Sequence, residues 1–177
     1  MLRALHTSVN QTGWQFIICD GVNYYIASPV FMADAAFQAT YSSQWLHLAG
    51  TFKGGTFMGL YFNGSLIASK TTGVPSQMTP DTATKNWIAR TGVNPGYLNG
   101  LIDEVRVYNR AFDGGEVSFS NANPGLPPTR GLVAWYPMDE GTNVPFSFTA
   151  GSSYALTITA YSLDGGFFTV TTAAECR

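Results

Sequence analysis

Carboxylates come in two close pairs in this chain, Asp103-Glu104 in "LIDEVRVYNR" and Asp139-Glu140 in "WYPMDEG". Two carboxylates hydrolyse a glycoside with retention when they sit about 5 Å apart on one face, as acid and nucleophile. Neither pair meets that condition, because adjacent residues of a strand point to opposite faces. In "LIDEVRVY" alternation puts Leu101, Asp103, Val105 and Val107 on one face and Ile102, Glu104, Arg106 and Tyr108 on the other. Glu104 and Arg106 are then same-face neighbours that can pair. Asp103 is the odd residue, since a carboxylate on an apolar face must find a partner or shift its pKa. Backbone N–H groups of a nearby loop would satisfy it, and so would a hard cation.

Nucleophilic catalysis finds no motif. Of the two histidines, His6 lies in a start that reads as frayed, and His47 stands mid-strand in "WLHLAGTF" beside Trp45. With no second histidine at ligand spacing, His47 reads as a packed, hydrogen-bonded strand residue. Contact chemistry is better supplied. An exposed aromatic face takes the apolar side of a pyranose ring, and amides and carboxylates take its hydroxyls. Trp14, Tyr24, Tyr25, Trp87 and Tyr97 fall in or near loops and strand ends, which makes them the candidate ligand-binding residues. Most aromatics in a β-sandwich are core, so each must show an exposed ring to qualify. "NQT" (10–12) and "NGS" (63–65) match the glycosylation acceptor pattern, but the second is already explained as a turn.

The elements that would position these residues are strands. Of the 177 residues 45% are hydrophobic and 14% aromatic, and 11% are charged, against about a quarter in typical proteins. That composition can bury a real core and argues against disorder. A net charge of −2 with no basic stripe argues against nucleic acid and anionic membrane surfaces as partners. No apolar run approaches the roughly 18 residues of a spanning helix. The opening "MLRALHTSVNQTGW" has no apolar run long enough for a signal peptide. Cys19 and Cys176 read more simply as a buried thiol and a loose tail thiol than as a bridge, which needs an oxidising compartment.

Short apolar runs, "GWQFIIC", "VNYYIAS", "WLHLAGTF", "FMGLYF" and "SLIAS", are punctuated by Gly, Asn, Asp, Ser and Pro. Asp20-Gly21 and Asn63-Gly64 mark hairpins, and Asn-Gly favours the positive φ angles of a type I′ turn. A polar loop covers 70–85, "NWIAR" (86–90) is a short strand, and "FDGGEVSF" (112–119) holds one helical turn from Asp113 to Glu116. "SNANPGLPPT" (120–129) is a linker by composition. "GLVAWYP", "YALTITAYS" and "GGFFTVTT" follow it, again strand-like. Many short strands with turns about every ten residues predict an all-β sandwich.

"WLHLAGTFKGGTFMGLYFNGSLIAS", "NWIAR" and "YLNGLIDEVRVYNRAFDGGEV" occur in the order found in the laminin G-like branch of the concanavalin A-like lectin/glucanase superfamily, which residues 13–119 resemble. The resemblance implies a jelly-roll β-sandwich of two antiparallel sheets, an extracellular or cell-surface setting, and a glycan or an extracellular protein surface as partner. It also implies a calcium ion in some members, for which Asp103, Asp139 and Glu140 are the matching carboxylates, although no EF-hand spacing is present. Solvated or backbone-bonded carboxylates are the simpler reading. The Glu-x-Asp-x-x-Glu strand of laminarinase-type members is absent, so no enzymatic activity is expected.

The departure from the family concerns order. A strand like "GLVAWYPMDEGT" (131–142) opens a domain of this kind, yet here it follows the closing signature. The expected organisation is a single sandwich over 1–177, circularly permuted relative to the family. Its back half is 1–119, its linker 120–130 and its front-half strands 131–177. The alternatives are a structural subunit whose strands complete a neighbouring copy in an oligomer or filament, and an incomplete fragment of a larger adhesin or secreted enzyme. Closure within the chain has the higher effective concentration. The function expected from the resemblance is lectin-like, non-catalytic recognition, with calcium as the one candidate cofactor.

Overall fold

The computed structural model describes residues 1–7, 9–79, 88–89, 100–138, 155–163 and 169–170. Its strands are β1 (Leu2–His6), β2 (Gln11–Cys19), β3 (Tyr24–Ala27), β4 (Met32–Ala33), β5 (Leu46–Lys53), β6 (Phe57–Phe62), β7 (Ser65–Lys70), β8 (Leu101–Tyr108), β9 (Leu132–Tyr136), β10 (Ala155–Leu163) and β11 (Thr169–Val170). Two helices, α1 (Asp34–Tyr41) and α2 (Gly114–Ala122), interrupt them. One sheet runs β11-β1-β2-β3, with β4 also on β2, and the other runs β7-β6-β5-β10-β8-β9. The pairings are antiparallel, as an all-β sandwich of this class requires.

Alternation builds the core. Trp14, Phe16 and Ile18 of β2 meet Leu46, Leu48 and Phe52 of β5 and Val105 and Val107 of β8 between the sheets. Gly50 lets them approach, because a Cβ there would stand 2.3 Å from the Phe16 ring. The other face of β5 is covered too: Ala49 joins Tyr61, Tyr108, Phe112 and Val117 beneath α2. This double burial explains why β5 reads as a nearly continuous apolar run.

Asn63 and Gly64, at φ 45° and 80°, make the expected left-handed hairpin turn. Asn63 also binds β5, accepting the His47 N–H at 2.9 Å and donating its own to the His47 carbonyl at 2.8 Å. Four expectations change. The start is a strand rather than frayed, since Leu2 and Ala4 alternate inward and β1 pairs with β2 from Leu2↔Phe16 to His6↔Thr12. Helix α2 runs nine residues rather than one turn. The reciprocal Asp113–Glu116 capping box starts it, and its two glycines fall in the first turn, where they cost least. Helix α1 occupies a stretch to which the sequence pattern gave no element; its Phe37 and Tyr41, one turn apart, pack on Trp14 with ring centroids at 5.2 and 5.8 Å. Cys19 is disulfide-bonded rather than a free thiol, its partner lying outside the described residues.

The late strands pair with strands that precede residue 109. β9 lies along β8, β10 fits between β5 and β8, and β11 meets β1. Gly131, at φ 77°, turns the chain back beside Asn109, whose N–H reaches the Gly131 carbonyl at 2.9 Å. A side chain at 131 would collide with Asn109 and Arg110. Deleting residues 131–177 strips β5 and β8 of their shared neighbour. The expected outcome is loss of the cooperative thermal transition followed by circular dichroism; a truncated chain that still melts cooperatively would contradict this arrangement.

Candidate ligand-binding surface

The β2–β3 connection is a loop of four residues, 20–23, closed by Cys19↔Tyr24. An aspartate opens it because its short side chain can bond the backbone ahead. Asp20 Oδ1 accepts the N–H groups of Val22 at 2.9 Å and Asn23 at 2.7 Å, and Oδ2 accepts the Tyr25 hydroxyl at 2.7 Å. These bonds, that of Asn23 first, hold the exposed carboxyl down at about 2, so it stays ionised. Thr79 buttresses the loop, donating its hydroxyl to the Asp20 carbonyl and its N–H to that of Cys19. Gly21, at φ 98°, lies against the same threonine.

This loop brings together two of the candidate aromatics. Tyr25 points toward the core, with its hydroxyl on Asp20. Tyr24 lies on the outer face and is 52% exposed, flanked by Ile26 and Val22. Arg3, held by Gln15 at 3.0 and 3.1 Å, is close enough to feel the Tyr24 phenol. An open ring at the end of a fixed loop can take the apolar face of a sugar. Asp20 and Asn23 were not among the candidates; the signal was present in the Asp-Gly turn, which fixes an exposed carboxylate as well as a chain reversal.

Trp14 lies elsewhere. It is buried mid-strand on the inner face of β2, where alternation with Phe16 and Ile18 places it. Its ring meets a pocket of about 120 Å³ lined also by Phe37, Tyr41, Phe62, Val30 and Ile67. The candidates Trp87 and Tyr97 fall outside the described residues, as do Asp139 and Glu140.

Asp103 is displaced by a bulge. Strand β10 advances two residues, Thr159 to Tyr161, while β8 advances three, from Arg106 to Asp103. Glu104, at φ 53°, is the extra residue and adopts the left-handed conformation. The alternation resets, so Ile102 rather than Asp103 joins Val105 and Val107 against the core. Asp103 Oδ1 accepts the Glu104 N–H at 2.9 Å, one of the backbone bonds that its position demanded. Among the described residues no three His, Cys, Asp or Glu side chains gather as metal ligands.

His47 is buried on the outer face of the six-stranded sheet. Burial first, and then the charge of Arg106, lowers its pKa to about 4. In the unfolded chain it would titrate near 6.5, so between these values the unfolded state binds the extra proton. Stability is therefore lost as pH falls from about 6.5 toward about 4. Comparing urea midpoints of wild type and His47→Gln at pH 7 and 5 should show the wild type losing about 2 kcal/mol more over that interval. Parallel losses in both proteins would contradict the burial of a neutral imidazole.

Comparison with protein-family models matches residues 4–118 to the concanavalin A-like lectin/glucanases superfamily, through its laminin G-like member. The match runs from β1 into α2. No curated protein and no solved structure matches the chain.

Proposed function

The chain belongs to the laminin G-like domains of the concanavalin A-like lectin/glucanase superfamily, and from that membership we propose that it is a non-catalytic module that recognises carbohydrate through the β2–β3 loop. Domains of this kind are in general binding modules for carbohydrate or extracellular proteins, although the superfamily includes glycosidases. They are typically extracellular. The disulfide at Cys19 suits an oxidising compartment, and no helix among the described residues is long and apolar enough to cross a membrane.

The observations that carry the proposal are the Tyr24 ring, exposed on the outer face, and the adjoining 20–23 loop, which Asp20 fixes through three hydrogen bonds before any ligand arrives. Preorganisation of this kind lowers the ordering cost of binding. Screening on a glycan array followed by titration calorimetry should find a saccharide whose affinity falls at least about tenfold in Tyr24→Ala, the loss expected for a central aromatic contact. A bound saccharide with unchanged affinity in that variant would move the site away from the loop.

The late strands, in this proposal, close the chain's own sandwich, a reading supported by the pairing of β9 and β10 with β8. Assembly by strand exchange predicts a dimer or an open series by light scattering, and closure predicts a monomer. Calcium is a separate proposal that places the ion on Asp103 with Asp139 and Glu140. Calorimetric titration with calcium chloride should then release heat that Asp103→Asn removes. Absence of heat in the wild type would end the calcium proposal and leave the loop site untouched.

A further inference from the structure

We propose that Trp135 and Glu104 form a second saccharide platform, on the outer face of the six-stranded sheet. Trp135 of β9 lies directly across from Arg106 of β8. Its neighbours Ala134 and Tyr136 pack against the inter-sheet core, so the indole stands on the opposite face. It is 42% exposed. The ring is nevertheless fixed: Nε1 donates to Glu104 Oε2 at 2.7 Å, and the Arg106 guanidinium carbon lies 5.6 Å from the ring centroid. Arg106 is fully buried and donates through Nη2 to Glu104 and to the Pro124 carbonyl. Glu104 stays on the Arg106 side of β8, and as the bulge residue it takes the left-handed conformation.

This arrangement selects a chemistry. Glu104 Oε2 serves both Arg106 and Trp135, while among the described residues Oε1 accepts no hydrogen bond. The Glu104 side chain is 12% exposed, enough to meet a hydroxyl at the rim of the indole. A flat apolar face with one accepting oxygen and no unused indole donor suits a ring that offers C–H groups on one side and O–H groups at its edge. That is a neutral saccharide. Sulfated and uronate sugars are disfavoured, because the Arg106 charge is paired with Glu104 and sealed from solvent, which leaves nothing at the rim to hold an anion. Tyr24 belongs to the outer face of the other sheet, so the two surfaces lie on opposite sides of the sandwich and the platform does not depend on the loop site.

The test reads the indole N–H signals of the four tryptophans in ¹⁵N-labelled protein. Cellohexaose, mannohexaose and chitohexaose serve as neutral probes and a heparin hexasaccharide as the anionic one. The Trp135 signal, assigned with Trp135→Phe, should shift saturably with at least one neutral hexasaccharide and not with heparin. Trp45, 47% exposed, serves as the internal control and should stay in place. Trp135→Ala should weaken binding at this site at least about tenfold, and Tyr24→Ala should leave the Trp135 shift intact. If Trp135→Ala does not fold, the wild-type titration decides alone. A Trp135 signal unmoved by all three neutral probes, or moved as strongly by heparin, overturns the platform. Loss of affinity in Tyr24→Ala with no Trp135 shift would keep the loop site and discard this one.

Discussion

Strand β10 lies between β5 and β8, and most of the molecule follows from that placement. Each of its neighbours has a row of backbone N–H and C=O groups facing it, and a buried row without partners is costly. Its pairing runs from Ala155↔Lys53 to Ser162↔Leu46 on one side and from Thr157↔Tyr108 to Leu163↔Leu101 on the other. Once β10 is seated, β8 has one edge left, and β9 takes it. The chain must therefore return across the sheet between residues 109 and 131, and the contacts there serve that return. Arg110 binds Glu116 through two hydrogen bonds and also the Arg130 carbonyl, so one side chain links the end of β8, the start of α2 and the approach to β9.

Covering the outer face of this sheet has an electrostatic consequence. Helix α2 supplies apolar cover at Tyr108 and Ala49, but further along the face lie His47 and Arg106, both buried. A buried guanidinium needs a carboxylate at hand, and leaving it alone would cost several kcal/mol. Glu104, two residues before Arg106 on the same side of β8, meets that need. The same charge helps keep His47 neutral. The irregularity in β8 thus moves Asp103 off the core face, while Glu104 at its centre pairs with Arg106 and holds the ring of Trp135.

Binding surfaces on such a scaffold are set by which aromatics the sheets cannot cover. Trp14 belongs to a five-residue stretch of alternating core and is taken up by Phe37, Tyr41 and Phe62. Tyr24 and Trp135 lie on outer faces near strand ends, where no helix of the described residues packs over them. Asp20 fixes the loop that leads into Tyr24 and Glu104 holds the Trp135 ring, so neither surface must be ordered on ligand arrival.

The sequence by itself determined most of the strands, the Asn63-Gly64 turn, the capping box and the family, because period, turn chemistry and side-chain capping act over a few residues. It also located Tyr24 and Tyr25 beside a turn and marked Glu104 and Arg106 as a pair. Tertiary structure alone decided the rest. Alternation counted from Leu101 assigns Asp103 to the core face, and only the two-against-three pairing with β10 reveals the extra residue that reverses it. Exposure likewise separates Trp14 from Tyr24, two aromatics of similar local context, because burial depends on which distant strand or helix lies opposite. The position of "GLVAWYP" beside β8 rests on contacts some thirty residues apart in the chain, a separation over which no local preference acts.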